Sequence, residues 1–160
     1  MILVSIPQER KAVLIGKDGQ AKVQIEKKTG TRIRISEEVE IKGDWETETK
    51  AAEVIKAIGR GFAPTKALRL LQGENILDVI SLKGSPNTIK RLMSRVIGTG
   101  GKAKKNIEKL CQVSISIYGK TVSIIGNQKQ VQLARTAIEM LISGRMHSYV
   151  WRHLEKEVTG

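Results

Sequence analysis

The apolar and polar positions along this chain form a pattern that occurs twice. Residues 15–19 superimpose on residues 97–101, and the same offset superimposes residues 25–27 on 107–109. After a slip of one position, glycines and apolar positions further along the chain also pair: Gly43 with Gly126, Ala51 with Ala134, Ile55 with Ile138 and Gly61 with Gly144. Because glycines, apolar positions and segment ends match together, the sequence predicts two copies of one unit.

The first part of the second copy predicts a strand followed by two helices. Residues 78–82 form a short apolar strand. Ser85 followed by Pro86 is typical of a helix start, with serine as the N-cap and proline in the first helical position. Glycines interrupt the helical periodicity at residues 98–101, and a second helix is predicted to follow them.

The rest of the second copy predicts two strands and a long helix. Residues 113–118 alternate valine or isoleucine with serine or tyrosine, which predicts a strand with one buried face. A turn then leads into a further apolar strand at residues 121–125. Asn127, with Gln130 three residues later, predicts a capped start for a final helix that ends near Gly144.

The first copy predicts the same order of elements, β-α-α-β-β-α. Its strands are expected at residues 3–6, 31–36 and 39–42, its glycine turn at residues 16–19, and its last helix at residues 45–58. The chain is therefore expected to be an α+β protein, in which each copy packs a three-stranded antiparallel sheet on three helices.

The turn at residues 98–101 has the chemistry of a phosphate-binding loop. Glycine lets the backbone approach a phosphate closely and adopt positive φ, and the next helix begins with N–H groups that attract an anion. Lysines in that first turn oppose the helix dipole unless phosphates neutralise them. Such a Gly-x-x-Gly turn between two helices resembles the loop of a type I KH domain, which clamps about four nucleotides. The candidate RNA-binding residues here are Gly98, Thr99, Gly100, Gly101, Lys102, Lys104 and Lys105, with Ile97, Ile107 and Ile115 expected to line the adjoining groove.

The first loop, at residues 16–19, is chemically weaker. It carries an aspartate at its tip, and acidic residues follow at Glu37, Glu38 and Glu40. Its module is expected either to contact RNA or to act as a scaffold. The residues that favour contact are Gly16, Lys17, Gly19, Lys22, Arg32 and Arg34, alongside Asp18 in the same loop.

The predicted architecture is two tandem type I KH modules with helical additions. Aromatic residues are scarce, at 3% of the chain, and much of that content lies near the C-terminus. This tail is expected either to pack on the second module or to offer a docking site. The predicted bounds are 1–61 for the first module, 62–75 for a helical inter-module segment, 76–144 for the second module and 145–160 for the helical tail.

The charge of the chain points to a polyanionic partner. The formal net charge is +12 over 160 residues, and the sequence pI is about 10.0. A solvated basic surface, as in proteins adapted to heat, is the alternative. Residues 1–62 hold 12 basic against 10 acidic residues, whereas residues 63–160 hold 16 against 6. This asymmetry favours a nucleic-acid-binding face in the second half.

Other function classes find little support. Cys111 is the only cysteine, so no disulfide framework or cysteine-based metal site is expected, and a reducing, cytoplasmic location is predicted. His147 and His153 are spaced too far apart to place two metal ligands on one helical face. No apolar stretch approaches the length of a membrane span. No nucleotide-binding or nuclease motif appears, so we expect no catalysis, cofactor or metal.

Four segments resemble a known family. They are residues 95–102 around the second loop, the hairpin at residues 116–122, residues 134–138, and residues 61–71 between the modules, the last being more specific than the loop itself. All four are similar to the archaeal and eukaryotic KH proteins of small-subunit ribosome assembly, the Dim-type or Partner-of-Nob group. The similarity covers nearly the whole chain.

The resemblance implies a non-catalytic assembly factor that binds single-stranded RNA near the 3′ end of the small-subunit rRNA precursor. It also implies cooperation with a Nob-type endonuclease and a link to the alpha subunit of translation initiation factor two. A KH-domain protein of RNA decay or translational control stays open as an alternative.

Overall fold

Each half of the chain folds around its own three-stranded antiparallel sheet. The computed structural model describes residues 1–159 and divides the chain into two units, Met1–Gly73 and the residues from Glu74 onward. The two units are described separately below.

The first unit has the predicted order of elements. They are β1 Ile2–Val4, α1 Gln8–Ile15, α2 Gln20–Thr29, β2 Arg32–Ile35, β3 Val39–Lys42, α3 Trp45–Gly59 and α4 Pro64–Ala67, followed by a 3-10 turn at Leu68–Leu71. Strand β3 lies in the middle of the sheet and pairs antiparallel with β1 on one side and β2 on the other.

The second unit repeats this order and adds a longer terminal helix. Its elements are β4 Ile76–Ser81, α5 Pro86–Ile97, α6 Lys102–Cys111, β5 Ser114–Tyr118, β6 Thr121–Gly126, α7 Gln128–Ile142 and α8 His147–Thr159. Strand β6 is central and antiparallel to both β4 and β5. The predicted α+β class, with two three-stranded antiparallel sheets, is confirmed.

The core of each unit lies between the sheet and its helices. In the second unit, Ile124 of β6, Ile107 of α6 and Ile138 of α7 are completely buried in one apolar cluster. Burying a side chain of this size contributes about 1.5–3 kcal/mol. Arg135 on α7 adds a polar tie to β4, since its Nη1 donates to both carboxylate oxygens of Asp78 at 2.9 and 2.7 Å.

The predicted helix starts are confirmed. The Oγ atom of Ser85 accepts a hydrogen bond from the Thr88 N–H at 3.2 Å, and Pro86 is the first residue of α5. Before α7, Asn127 Oδ1 accepts from the Gln130 N–H at 2.8 Å, and Gln130 Oε1 accepts from the Asn127 N–H at 3.0 Å. These bonds satisfy N–H groups that a helix leaves unpaired at its start, which defines where both helices begin.

Two strand predictions differ from the structure. The first strand was expected at residues 3–6, but β1 ends at Val4 because its pairing with β3 extends no further. The prediction of a single buried face for residues 113–118 is wrong, since Ser114 and Ser116 are only 1% and 8% exposed. Alternation identifies the face that carries large apolar side chains. It does not reveal whether small serines on the other face meet water.

The repeat includes an arginine that binds backbone carbonyls at the end of α3 in the first unit and of α7 in the second. Arg10 of α1 donates its Nε to the carbonyl of Ile58 in α3 at 2.7 Å. Arg95 of α5 donates its Nε to the carbonyl of Leu141 in α7, also at 2.7 Å. In both cases the Nη2 atom donates to a carbonyl further along the chain, that of Phe62 or Arg145. The two arginines therefore fix the chain as it leaves α3 and α7.

Helices α4 and α8 occupy the same place in the repeat. The offset that pairs Gly61 with Gly144 also pairs Pro64, the first residue of α4, with His147, the first residue of α8. Ala67 in α4 and Val150 in α8 are both fully buried, so each helix packs on its own unit. The tail was expected either to pack on the second module or to offer a docking site. In the structure α8 packs on the second unit.

The division of the chain falls after Gly73. By its packing, most of the segment predicted as an inter-module spacer, residues 62–75, groups with the first unit. Gly160, the last residue of the predicted tail, lies outside the described residues.

Candidate nucleic-acid interface

The second loop, residues 98–101, has a backbone that depends on glycine. Gly98, Gly100 and Gly101 have φ values of 75°, 62° and 77°. Gly100 and Gly101 are in the left-handed helical region, where L-residues pay about 1–2 kcal/mol. Gly98 has ψ 173°, a region essentially restricted to glycine. The Gly98 N–H donates to the Ser94 carbonyl at 2.8 Å, and the Gly101 N–H donates to the Gly98 carbonyl at 3.1 Å. The loop is therefore a closed, ordered turn between α5 and α6.

Close packing between the helices explains the first glycine of each loop. A Cβ atom on Gly98 would lie 2.6 Å from the Cβ of Ala103, and one on Gly16 would lie 2.6 Å from the Cβ of Ala21. Real Cβ atoms do not approach this closely, so neither position has room for a side chain. The backbone of each loop is held directly against the start of the next helix.

The lysines after the second loop face different surroundings. Lys102 and Lys105 are exposed on α6, while Lys104 is half-buried and its Nζ lies 4.0 Å from Glu108 Oε1. Among the described residues, no side chain caps the first turn of α6. The N-terminal end of α6 therefore presents its partial positive charge and two exposed lysines beside the loop, a suitable place for an anion.

The apolar groove residues do not all reach the surface. Ile97, at the end of α5, is half-buried, but Ile107 is completely buried and Ile115 is only 4% exposed. Both belong to the core between the sheet and the helices. The expectation that these two side chains line the groove therefore needs correction, because a core side chain offers no surface to a base. They support the groove from below.

The same region contains a carboxylate that ties α6 to the edge of the sheet. Glu108 Oε2 accepts a hydrogen bond from the Ile115 N–H on β5 at 3.0 Å. Glu26 Oε2 accepts from the Ile33 N–H in the first unit at 2.9 Å, in the matching position of the repeat. Each glutamate thus holds the helix after the loop beside the strand that borders the groove.

The first loop copies this backbone with an aspartate in a glycine's place. Asp18 has φ 55° and ψ 28°, and its counterpart Gly100 has φ 62° and ψ 21°. Aspartate tolerates this conformation better than most residues. The aspartate is exposed at the tip of the loop. The first loop is therefore preformed like the second, but it presents a negative charge where the second presents none.

The predicted cations of the first module lie around this loop and along β2. Lys17, Arg32 and Arg34 are exposed, and Lys22 is half-buried. Arg34 lies directly opposite Glu40 in the register of β2 and β3, so part of its charge faces a carboxylate. The structure thus keeps these cations at the surface but mixes them with acidic residues.

Sequence reasoning missed part of the basic surface in the second unit. A cleft of about 850 Å³ runs from the second loop along α5, α6 and α8. It is lined by Arg91, Lys109, His147 and Trp151, besides residues already predicted. Arg91 and Lys109 follow the helical spacing of exposed positions, but nothing in the sequence links them to the tail. We call this cleft the α6–α8 groove.

Three features bear on other classes of function: metal-binding clusters, the reactivity of the single cysteine and membrane-spanning helices. Within the described part of the chain, no three His, Cys, Asp or Glu side chains gather in a metal-binding arrangement. Burial raises the pKa of the Cys111 thiol to about 11, which disfavours the reactive thiolate. Among residues 1–159, no helix combines the length and apolar character that a bilayer crossing requires.

Comparison with known proteins agrees with this geometry. Residues 73–159 match a family model for the second KH domain of PNO1, described as a eukaryotic type KH-domain of type I, and residues 1–57 match the general KH domain model. A KH domain-containing protein of Methanocaldococcus jannaschii is 41% identical over 165 residues, covering 97% of this chain and 73% of that protein. Dim2p of Pyrococcus horikoshii, solved in a complex with a/eIF2alpha and rRNA, is 41% identical with a TM-score of 0.91; the match covers 99% of this chain and 93% of that one.

The chain belongs to the Dim2/PNO1 family of KH-domain proteins. The predicted family is confirmed. The RNA-binding protein PNO1 of Oryzias latipes is a more distant member, 35% identical over 128 residues. That match covers 72% of this chain and 52% of PNO1, so the chain matches about half the length of this eukaryotic relative.

Proposed function

We propose that this Dim2/PNO1-family chain is a non-catalytic RNA-binding factor of small-subunit ribosome assembly. Its target is single-stranded RNA near the 3′ end of the small-subunit rRNA precursor. The observation that carries the proposal is the second loop, a preformed glycine turn with exposed lysines at the start of α6. The relative solved with rRNA shares this fold over almost the whole chain.

In this proposal the second loop holds the RNA backbone. A phosphate lies against the glycines, where no side chain blocks its approach, and Lys102, Lys104 and Lys105 neutralise its charge. Thr99 is exposed at the tip of the loop and carries a hydroxyl donor. The bases lie toward β5 beside the half-buried Ile97. Ile107 and Ile115 contribute only as the floor beneath them.

The first module has a lesser part in RNA binding. Its loop has the geometry to approach a phosphate, yet Asp18 repels one. Lys17, Lys22, Arg32 and Arg34 supply attraction over a broader surface, which suits a weak, accessory contact or a scaffold.

The proposed partners beyond RNA are proteins of the same process. The alpha subunit of translation initiation factor two is one, since a relative 41% identical to this chain was solved in complex with a/eIF2alpha and rRNA. Cooperation with a Nob-type endonuclease, which rests on the family resemblance, and a cytoplasmic location, which rests on the scarcity of cysteine, complete the proposal. The cleavage of RNA then belongs to the endonuclease and not to this chain.

Competition binding tests this function. A fluorescent RNA with the 3′-end sequence of the small-subunit rRNA precursor is competed with the unlabelled RNA and with a scrambled RNA of the same composition. We expect the authentic sequence to compete better and the RNA to remain intact. Equal competition by the scrambled RNA would favour a general KH protein of decay or translation. Degradation of the RNA by the pure protein would contradict the absence of catalysis.

A further inference from the structure

The α6–α8 groove lies on a different side of α6 from the groove between the second loop and the sheet. Lys104 and Glu108 form one stripe of α6, which faces β5 through the Glu108–Ile115 hydrogen bond. Lys102, Lys105 and Lys109 form another stripe, at helical spacing, and line the cleft with α8. At about 100° per residue, the centres of the two stripes lie roughly 110° apart around the helix axis. Two separate surfaces therefore begin at the same loop.

The α6–α8 groove is basic and its charges are unpaired. None of the residues that line it is acidic. Among the described residues, Arg91, Lys105 and Lys109 form no ion pair, and all three are exposed. Like charges that line one cleft repel each other, so their clustering favours an anion between them.

The matching face of the first unit has lost both the charge and the volume. The offset that pairs the two glycine loops places Asp18, Gln20, Val23 and Lys27 opposite Gly100, Lys102, Lys105 and Lys109. There they line a depression of only about 370 Å³. The first unit has only the short helix α4 at the place of α8. Among the described residues, the face of the first unit that matches the groove is therefore smaller and carries fewer positive charges.

Helix α8 brings an aromatic pair into this basic groove. His147 and Trp151 lie one helical turn apart with ring centroids 5.9 Å from each other, and Trp151 is half-buried. The His147 Nε2–H donates to the Arg95 carbonyl at 3.1 Å, and the Arg95 guanidinium donates to the Leu141 carbonyl. These bonds hold the pair in place at one wall of the groove.

We propose that the α6–α8 groove binds a second segment of the same RNA strand, one or two nucleotides beyond those at the second loop. A base stacks on Trp151, and the adjoining phosphates lie between Arg91, Lys105 and Lys109. Stacking on an aromatic ring combined with a basic track is how proteins hold single-stranded RNA without reading its sequence. This inference rests on the proposed function, because the loop must hold the strand first.

The location favours RNA over an acidic protein segment. Gly98, Thr99 and Lys102 line the groove and also form the loop and its helix start, so a strand held at the loop continues into the groove without a gap. A volume of about 850 Å³ is within the usual range for small-molecule clefts, enough for a nucleotide. A ring such as Trp151 suits a base better than it suits a carboxylate.

The test is a length series of RNA on the full chain. Nested RNAs of about four to about twelve nucleotides are titrated by fluorescence anisotropy, since a KH loop alone holds about four. The groove variant is Arg91→Gln with Lys109→Gln. The matched control, Lys83→Gln with Lys129→Gln, removes the same charge from exposed lysines outside the groove.

We expect the groove variant to bind the longest RNA about 10-fold more weakly and the shortest within about 2-fold of the unchanged protein. The control should stay close to the unchanged protein at every length. If the groove variant and the control bind long RNA equally well, the proposal that the groove binds RNA is wrong. It is also wrong if the groove variant instead loses binding to polyglutamate, which would indicate an acidic protein segment. If Thr99→Asp with Gly100→Asp has no effect on any RNA, the proposed function itself fails.

Tryptophan fluorescence adds a readout of stacking. The chain has two tryptophans, and Trp45 is 78% exposed, so Trp45→Phe leaves Trp151 as the single reporter without disturbing the core. We expect the longest RNA to quench this fluorescence and the shortest to leave it unchanged. Absence of quenching at saturation by the long RNA contradicts stacking on Trp151.

Discussion

Two aspartates in the second loop should weaken RNA binding far more than one aspartate in the first. The variants are Thr99→Asp with Gly100→Asp, and Lys17→Asp. Both create the loop sequence Gly-Asp-Asp-Gly, and both change the net charge by two units, because Lys17→Asp replaces a positive charge with a negative one. The comparison therefore isolates the position of the charge from its amount.

The structure limits the effect on folding. Asp18 already occupies the conformation that Gly100→Asp requires, with φ 55° against 62°. A Cβ atom on Gly100 would meet nothing within 4 Å. The left-handed conformation costs about 1–2 kcal/mol. An aspartate near the start of α6 returns about 0.3–1 kcal/mol through the helix dipole.

The electrostatic effect on binding is larger. An aspartate about 6 Å from a phosphate costs roughly 0.7 kcal/mol in water and roughly 3 kcal/mol at an effective dielectric of about 20. Since Thr99 and Gly100 are both exposed, the lower half of that range applies. Two aspartates then weaken binding by about 10- to 400-fold, at about 1.4 kcal/mol per factor of ten.

Fluorescence anisotropy with the 3′-end RNA measures the effect, and a thermal melt of each variant checks the fold. We expect the loss at the first loop to stay within about 3-fold, because that loop already carries an aspartate. Equal losses at the two loops would refute the unequal roles of the modules. A loss that persists unchanged at high salt would refute phosphate contact as its cause.

Three further predictions concern stability and reactivity. Gly98→Ala should destabilise the protein by more than Gly101→Ala in urea unfolding. Gly101 is in the left-handed helical region, where alanine pays about 1–2 kcal/mol. Gly98, with φ 75° and ψ 173°, is in a region essentially restricted to glycine, and a Cβ there would lie 2.6 Å from the Ala103 Cβ. Equal losses would contradict this account. Asn127→Ala should cost about 1 kcal/mol in the same assay, because it removes the cap of α7, and an unchanged midpoint would show that the capping box contributes nothing. Cys111 should resist thiol reagents at pH 8, because burial raises its pKa to about 11. Rapid labelling without denaturant would contradict that burial.

Much of the fold could be predicted because its signals are local. The helix starts at Ser85 and Asn127 depend on side chains that bond to backbone groups three residues away. The two loops depend on glycines that tolerate positive φ and close packing. Both kinds of feature depend on neighbouring residues. The helix starts could therefore be predicted in the second unit, and the glycine loops in both units.

The features that were missed depend on contacts between distant residues. Alternation with serines placed Ile115 on the buried face of a strand, yet only the packing of α6 and α7 shows that it lies too deep in the core to line the groove. The α6–α8 groove joins Arg91 to Trp151, which are far apart in the sequence and meet only when α8 folds back. The repeat offset pairs α4 with α8. Their equivalence was not recognised from it, because Pro64 and His147 share no chemistry.

The most direct test of the account is a crosslinking map at nucleotide resolution. The protein is crosslinked to total cellular RNA by ultraviolet light, and the sites are compared between the unchanged chain and the variant with Thr99→Asp and Gly100→Asp. We predict a cluster of crosslinks near the 3′ end of the small-subunit rRNA that disappears in the variant. Crosslinks concentrated in other RNAs, or a 3′-end cluster that survives the loop variant, would contradict the central claim.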